Sequence, residues 1–311
     1  MITRRHVLLG GGAALVAAAS LPTYALGVEP LLRLALTSYD LTPPGWPADQ
    51  DLTIAVLADI HAVDPWMTPA RIAQIVDFTN SLQPDLVVLA GDYVNSMGHG
   101  LGRPVPMSIC AEILSRLASP LGRVAIMGNH DIWLNGGRDV REAFDKHAIP
   151  VLENKAVRLE KDGRGFWLLG LADQIGEWDE RLGAHIDQSD LLGTLAQVTT
   201  DEPALLLAHE PDIFPQVPDR VSLTISGHTH GGQVRLPFIG AITAPSALSY
   251  RFVYGHCRLG SSELVVSGGL GMSGLPIRFN MPPEVVLIRL GDAANRQFSQ
   301  SKFAQKLAKS A

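Results

Sequence analysis

The chain has 311 residues, 46% of them hydrophobic and 18% charged, which excludes a disordered protein and allows one large domain or two small ones. Net charge is -6, and the first 25 residues carry Arg4 and Arg5 without an acidic residue, so the remainder stands at -6 - 2 = -8. That field disfavours a polymeric nucleic acid but not a small phosphorylated molecule, because bound cations reverse the field inside a pocket.

The chain starts Thr3-Arg4-Arg5-His6-Val7-Leu8-Leu9, then runs through glycines and alanines to Ala19. A basic start, a modest apolar stretch and small residues form the layout of a secretory signal. The paired arginines resemble a twin-arginine signal, and Thr23-Tyr24-Ala25 reads as a cleavage site. Residues 1–25 are therefore expected to engage the twin-arginine translocation machinery and send the chain to the periplasm or cell envelope. Val7–Ala19 is shorter than the ~20 apolar residues a membrane span needs. Retention as an anchor, with peripheral membrane contact, stays open.

Residues 26–50 form a Pro-rich lead-in with one apolar segment, Leu31–Leu36. From Leu52 a pattern recurs in which a short apolar run ends abruptly in polar residues. Leu52–Ala58 ends at Asp59, and Leu86–Ala90 ends at Gly91-Asp92. Val124–Met127 ends at Gly128-Asn129-His130-Asp131. Ala204–Ala208 ends at His209, and Val221–Ser226 ends at Gly227-His228-Thr229-His230. Helical patterns fill the gaps over Pro69–Leu82, with Ile72, Ile75, Val76 and Thr79 at helical spacing, and over Met107–Ala118. Further strands are expected at Ala156–Glu160, Phe166–Leu171, Glu263–Val266 and Val285–Leu290.

Strand–helix–strand alternation with near-continuous apolar runs implies buried, largely parallel strands. The expected fold is α/β: two mixed β-sheets stacked as a sandwich and flanked by helices, in one domain over residues 51–292. A polar, basic tail follows over 293–311. Cys110 and Cys257 cannot build a disulfide framework and lie in no CxxC pattern, so buried free thiols are expected.

In sheets of this type ligands gather beyond the carboxyl ends of the strands. Asp59, His61, Asp92, Asn129, His209, His228 and His230 all stand at such ends. They offer oxygens and imidazole nitrogens without a thiolate, a set that suits Zn, Mn or Fe. The two-residue spacing of Asp59/His61 and of His228/His230 places each pair on one face of extended backbone. Each motif alone is weak, since Asp, Asn and Gly also make ordinary turns. The ordered set, with each member at a strand end, carries the expectation of a metal site.

That set resembles the calcineurin-like metallophosphoesterase superfamily over roughly Leu52–Leu290. Ser226–Gln233, Ser267–Gly271, Pro276, Arg278 and Pro283-Glu284 are similar to exported or membrane-associated bacterial members. The resemblance implies a four-layer α/β-β/α sandwich holding two divalent or trivalent metal ions. Asp59, His61, Asp92 and His230 would hold one, and Asp92, Asn129, His209 and His228 the other. His130 would be catalytic and face the substrate, with Asp131 orienting it. Where the protein phosphatase branch carries Asp and Arg, this chain has Asn95 and Ser96, which disfavours protein phosphatase activity.

The implied reaction is phosphodiester or pyrophosphate hydrolysis by a metal-bridging hydroxide. The substrate would be a small or lipid-linked envelope phosphoester. The loops Asn95–Pro106, Trp133–Arg141, Asp173–Asp201 and Leu236–His256 would choose it. Their Trp133, Trp178, Phe238, Tyr250, Phe252 and Tyr254 either line an apolar wall or pack the loops onto the core. Arg251 and Arg278 are candidate phosphate contacts. The alternatives are a nuclease of the same fold and a non-catalytic envelope binding protein stabilised by its metals.

Overall fold

The computed structural model describes residues 20–95, 102–245 and 250–291. The arginine pair Arg4-Arg5, most of the Asn95–Pro106 loop's first half and the tail over 293–311 lie outside the described residues.

The first sheet contains β1 (Ala35–Leu41), β2 (Leu52–Leu57), β3 (Leu86–Ala90), β4 (Arg123–Ile126) and a late strand, Glu284–Leu290. The second contains β5 (Lys155–Lys161), β6 (Arg164–Gly170), β7 (Ala204–Leu207), β8 (Leu223–Ser226), β9 (Gly255–Leu259) and β10 (Ser262–Val266). With Glu284–Leu290 as β11, the strand orders are β1-β11-β2-β3-β4 and β9-β10-β8-β7-β6-β5. The pairs β2–β3, β3–β4, β6–β7, β7–β8 and β8–β10 are parallel, so their carboxyl ends share one edge.

Alternation along the strands explains the layers. Ile54, Val56, Leu86 and Val88 meet Phe166, Leu168, Leu205 and Leu207 between the two sheets. Their sequence neighbours Ala55, Leu57, Val87 and Leu89 point the other way. There they pack against α1 (Pro69–Ser81), α2 (Met107–Leu114) and α3 (Arg138–Lys146). Both faces are apolar because both are covered, which is why the runs look continuous in sequence. The outer face of the second sheet buries Leu169, Ala204, Leu206 and Leu264 under the short helix Leu191–Leu195 and the 3-10 turn Pro211–Gln216. That fourth layer is thinner than expected and is made more of loops than of helices.

Local chemistry sets the helix ends. Thr68 caps α1, accepting the Arg71 N–H at 3.2 Å, and Pro69 takes the first turn, where no N–H is needed. Ile72, Ile75, Val76 and Thr79 form its buried stripe. Helix α3 had no sequence expectation, because Val140, Ala143 and Phe144 are its only buried residues amid charge.

The lead-in belongs to the fold. Strand β1 pairs with β11 from Ala35 to Leu41, although Thr37, Ser38 and Asp40 mask it as an edge strand. Residues 20–32 are helical. Ala25 is buried, and its carbonyl accepts the Arg278 N–H at 2.9 Å. The Glu29 carboxylate accepts Asn280 N and Met281 N at 3.1 and 2.5 Å. A cut after Ala25 would divide this docked helix. Cys110 is buried in α2 and Cys257 is half-buried in β9, both as free thiols.

Candidate metal centre

The shared edge brings the seven strand-end side chains into one buried cluster. Asp59, His61, Asp92, Asn129, His209, His228 and His230 are each at most 8% exposed. Three groups of them lie close enough to hold a cation. These are Asp59/His61/His230, Asp92/His209/His228, and His61/Asp92 with His130. Asp92 is the carboxylate between the first two. Its Oδ2 stands 3.4 Å from His61 Nε2 and 3.2 Å from His209 Nε2.

The hydrogen bonds fix which nitrogens are bare. His209 Nδ1 donates to the Ala90 carbonyl at 2.7 Å, and His61 Nδ1 to the Val94 carbonyl at 3.2 Å. In the neutral rings each Nε2 is then a lone pair, and both lone pairs face the Asp92 carboxylate. His61 Nε2 also lies 3.0 Å from His230 Nε2, and His228 Nδ1 lies 2.9 Å from Asn129 Oδ1. Asp59 Oδ2 and His209 Nε2 are buried with no hydrogen-bond partner among the described residues. Acceptors facing acceptors in a buried space are unfavourable unless cations sit among them. The residues present therefore fit a pair of metal ions, and their oxygen and imidazole donors suit Zn, Mn or Fe.

The pKa shifts have the same origin. Burial pushes His61 down to about 3 and His228 down to about 4, which keeps both rings neutral. Burial raises Asp59 to about 7. His209 moves up well above its ordinary value although burial opposes it, because the Asp92 charge beside it wins. A proton on His209 takes the place a cation would fill.

The backbone differs from the extended exit expected at the strand ends. Asp59, His61, Asp92, His228 and His230 have φ of 54, 43, 58, 68 and 51°, all left-handed. Such a conformation costs a non-glycine residue about 1 kcal/mol or more, so the surrounding structure must hold it. Close approach requires glycine nearby. A Cβ on Gly128 would stand 2.4 Å from Asp92 Oδ1, and one on Gly91 2.5 Å from His209 Nδ1.

Asp131 has a different task from orienting His130. Its two oxygens accept four backbone N–H groups, from Asp92, Tyr93, Val94 and Gly128, at 2.8 to 3.2 Å. That occupies the acceptor capacity of a carboxylate. It ties the Asp92 loop to the Asn129 loop. The His130 ring instead has Nε2 at 3.2 Å from Ser273 Oγ. Ser273 is held in turn by Gln233, whose Oε1 accepts the Ser273 N–H at 2.7 Å. Sequence reasoning missed Ser273, which carries no motif.

The cluster opens into a cleft of 410 Å³, with His130, Trp133, His185, Thr243, Pro245 and Ser273 in its wall. Trp133 lies 5.0 Å from His130 and stacks on His185 at 5.1 Å, with Trp178 edge-on to His185 beyond. Of the six loop aromatics, only Trp133 lines the cleft itself. Phe252 is buried against Phe214, Tyr254 donates to Glu284 at 2.8 Å, and Phe238 and Tyr250 are exposed. His185 was not foreseen, since its place depends on how a long loop folds back.

Neither arginine is among the residues that line the cleft. Arg278 is fully buried and donates to the carbonyls of Gly268, Gly271 and Met281. Arg251 is exposed, over the Phe252 ring.

A family model described as Calcineurin-like phosphoesterase matches residues 52–232, a stretch that contains every strand-end residue named above. The chain belongs to this family. The calcineurin-like phosphoesterases most similar to it include the uncharacterized metallophosphoesterase YkuE of Bacillus subtilis (strain 168), 31% identical over 76% of this chain and 78% of YkuE. Phosphodiesterase YaeI of Escherichia coli (strain K12) is 30% identical over 76% of this chain and 81% of its own length. Among solved structures, the NAD nucleotidase of Haemophilus influenzae aligns with a TM-score of 0.46 and 15% identity. That alignment covers 71% of this chain and 46% of that one, so this chain spans under half of that nucleotidase.

Proposed function

We propose that this protein is a phosphodiesterase with two bound metal ions, acting on a small or lipid-linked phosphodiester or pyrophosphate in the cell envelope. The supporting observation is the Asp92 carboxylate facing the bare Nε2 atoms of His61 and His209 from one oxygen. Asp59, His61, Asp92 and His230 would hold one ion. Asp92, Asn129, His209 and His228 would hold the other, with Asp92 shared. Bound there, the ions supply Lewis-acid charge and lower the pKa of a water nucleophile.

The chain's own residues do the rest. The carbonyls of Val94 and Ala90 fix the tautomers of His61 and His209, so that both rings present lone pairs. His130 reaches the cleft beside these groups. Burial holds its pKa below the ordinary range, so at neutral pH it is an uncharged hydrogen-bond donor to a phosphoryl oxygen. Ser273 sets the direction of that ring. Trp133 and His185 stack on each other along one side of the cleft. The diesterase reading gains support from the named activity of YaeI. The envelope location rests on the leader sequence, with Arg4-Arg5 as its export determinant.

The test is hydrolysis of bis(p-nitrophenyl) phosphate against p-nitrophenyl phosphate by metal-stripped protein resupplied with Mn, Zn or Fe. Metal-dependent diester cleavage that disappears in Asp92→Asn is the expected result. Two ions bound with no turnover would sink the reading and favour a binding protein. Fractionation of cells carrying Arg4→Lys/Arg5→Lys tests export, and an unchanged distribution would overturn it.

A further inference from the structure

Three neighbouring segments expose large apolar side chains. The first is the helix over 20–32, which shows Leu21 and Leu26 to solvent. The second is the hairpin of Arg235–Leu236 with Gly240–Ala241, whose tip carries Phe238 and Ile239. Phe238 is 110% exposed and Ile239 73%, so the tip projects from the body. The third is the turn at Leu275, 67% exposed.

Hydrogen bonds join these segments into one face. The stretch 278–281 lies between helix and hairpin. Arg278 N bonds to Ala25, and Arg235 N bonds to the Phe279 carbonyl at 2.9 Å. Asn280 Nδ2 donates to the Arg235 carbonyl at 3.1 Å, and Tyr24 packs edge-on to Phe279. Leu275 is tied in through its carbonyl, which accepts from Gln233 Nε2 at 3.4 Å. The same hairpin borders the cleft, since Gln233 precedes it, Thr243 follows it, and both line the wall.

We propose that this face docks on a lipid bilayer, with the Phe238–Ile239 tip inserted among the headgroups and the cleft held at the membrane surface. The argument for a bilayer, rather than another occupant, is what adjoins the face. The apolar segment Val7–Ala19, with Arg4 and Arg5 before it, leads directly into the helix at Ser20. That helix is anchored in the fold through Ala25 and Glu29, so a membrane-held leader keeps this face against the bilayer. A short apolar leader alone binds a bilayer weakly, and stable attachment takes a second apolar element. The hairpin tip is that element. Among the described residues no helix is long and apolar enough to cross a membrane.

Flotation of the full chain with phosphatidylethanolamine/phosphatidylglycerol vesicles tests this. The wild type should float. Phe238→Ser/Ile239→Ser should lose about tenfold or more in vesicle partitioning. Leu192→Ser, which alters an exposed leucine on the helix Leu191–Leu195, should float as the wild type does. Turnover of soluble bis(p-nitrophenyl) phosphate should be unchanged in the double variant, because Phe238 and Ile239 lie outside the cleft wall. A wild type that stays unbound, or a double variant that floats equally well, overturns the proposal. So does a double variant that turns a dimer into a monomer, which would make the face a contact between copies. Absent turnover would count against the phosphodiesterase reading and leave the flotation result standing.

Discussion

The Asp131 carboxylate accepts the backbone N–H of Asp92 at 2.8 Å, and so holds in place the carboxylate that faces both His61 and His209. Three further N–H groups complete its coordination. Asp131→Asn puts an NH2 group against one pair of these donors. The expected cost is about 1–3 kcal/mol of stability for the buried mismatch. Metal affinity should fall about 10–100-fold through the displaced loops. Thermal melts and metal titration check both. A variant that keeps full metal affinity but loses turnover would return Asp131 to a role on His130.

His130 should behave in the opposite way. It reaches the cleft but leaves the shared Asp92 oxygen to His61 and His209. His130→Ala should lower kcat by about 10²–10⁴ while metal content per chain stays at the wild-type value. Ser273→Ala should lower kcat less, with a displaced pH–rate profile, since Ser273 acts through the His130 ring. Loss of metal in His130→Ala would make His130 a ligand.

Metal loading should steepen the acid sensitivity of the fold. Folded His61, His228 and His230 are held neutral by burial, at about 3, at about 4 and well below the usual value. Unfolded, each titrates near ~6.5. Below that pH the unfolded chain binds more protons, so stability falls on acidification from pH 6.5 towards about 4. Each ring contributes up to ~1.4 kcal/mol per pH unit in that window. Without metal, Asp59 at about 7 works against this loss throughout that window, because the folded state binds its proton more tightly, and the raised His209 does the same only above pH ~6.5. Metals displace those protons and remove the offset. Calorimetry with and without metal across pH 7 to 4.5 should show the loaded protein losing stability more steeply. Parallel curves would contradict the assignment.

The clustering of these side chains was legible in the sequence, because strands buried on both faces are long apolar runs whose ends cannot be missed. Asp59, Asp92, Asn129, His209 and His228 each mark such an end. Edge and surface elements were less legible. Polar Thr37, Ser38 and Asp40 hid β1, and charge hid α3. The roles of Ser273, His185 and Arg278 depend on how distant loops meet. Arg278 looks like a phosphate contact in a string of letters and becomes a structural group only when three carbonyls surround it. The left-handed backbone at five site residues also had no signal, since Asp and His carry no mark of it as glycine does.

Glycine substitutions separate close approach from backbone strain. Gly163 closes the β5–β6 hairpin at φ 78°, with nothing within 4 Å of its would-be Cβ. Gly163→Ala should cost about 1–2 kcal/mol of left-handed strain and leave metal binding and turnover intact. Gly128 has an ordinary φ of -114°, so strain is not its issue. Its would-be Cβ meets Asp92 Oδ1 at 2.4 Å and Asp92 N at 2.6 Å, atoms with no room to move. Gly128→Ala must push the shared carboxylate away from both halves of the site. Metal stoichiometry by atomic emission should fall for both ions together, with diesterase activity lost alongside. If one ion remained at full affinity, Asp92 would not be the bridge, and the two groups of side chains would be independent sites.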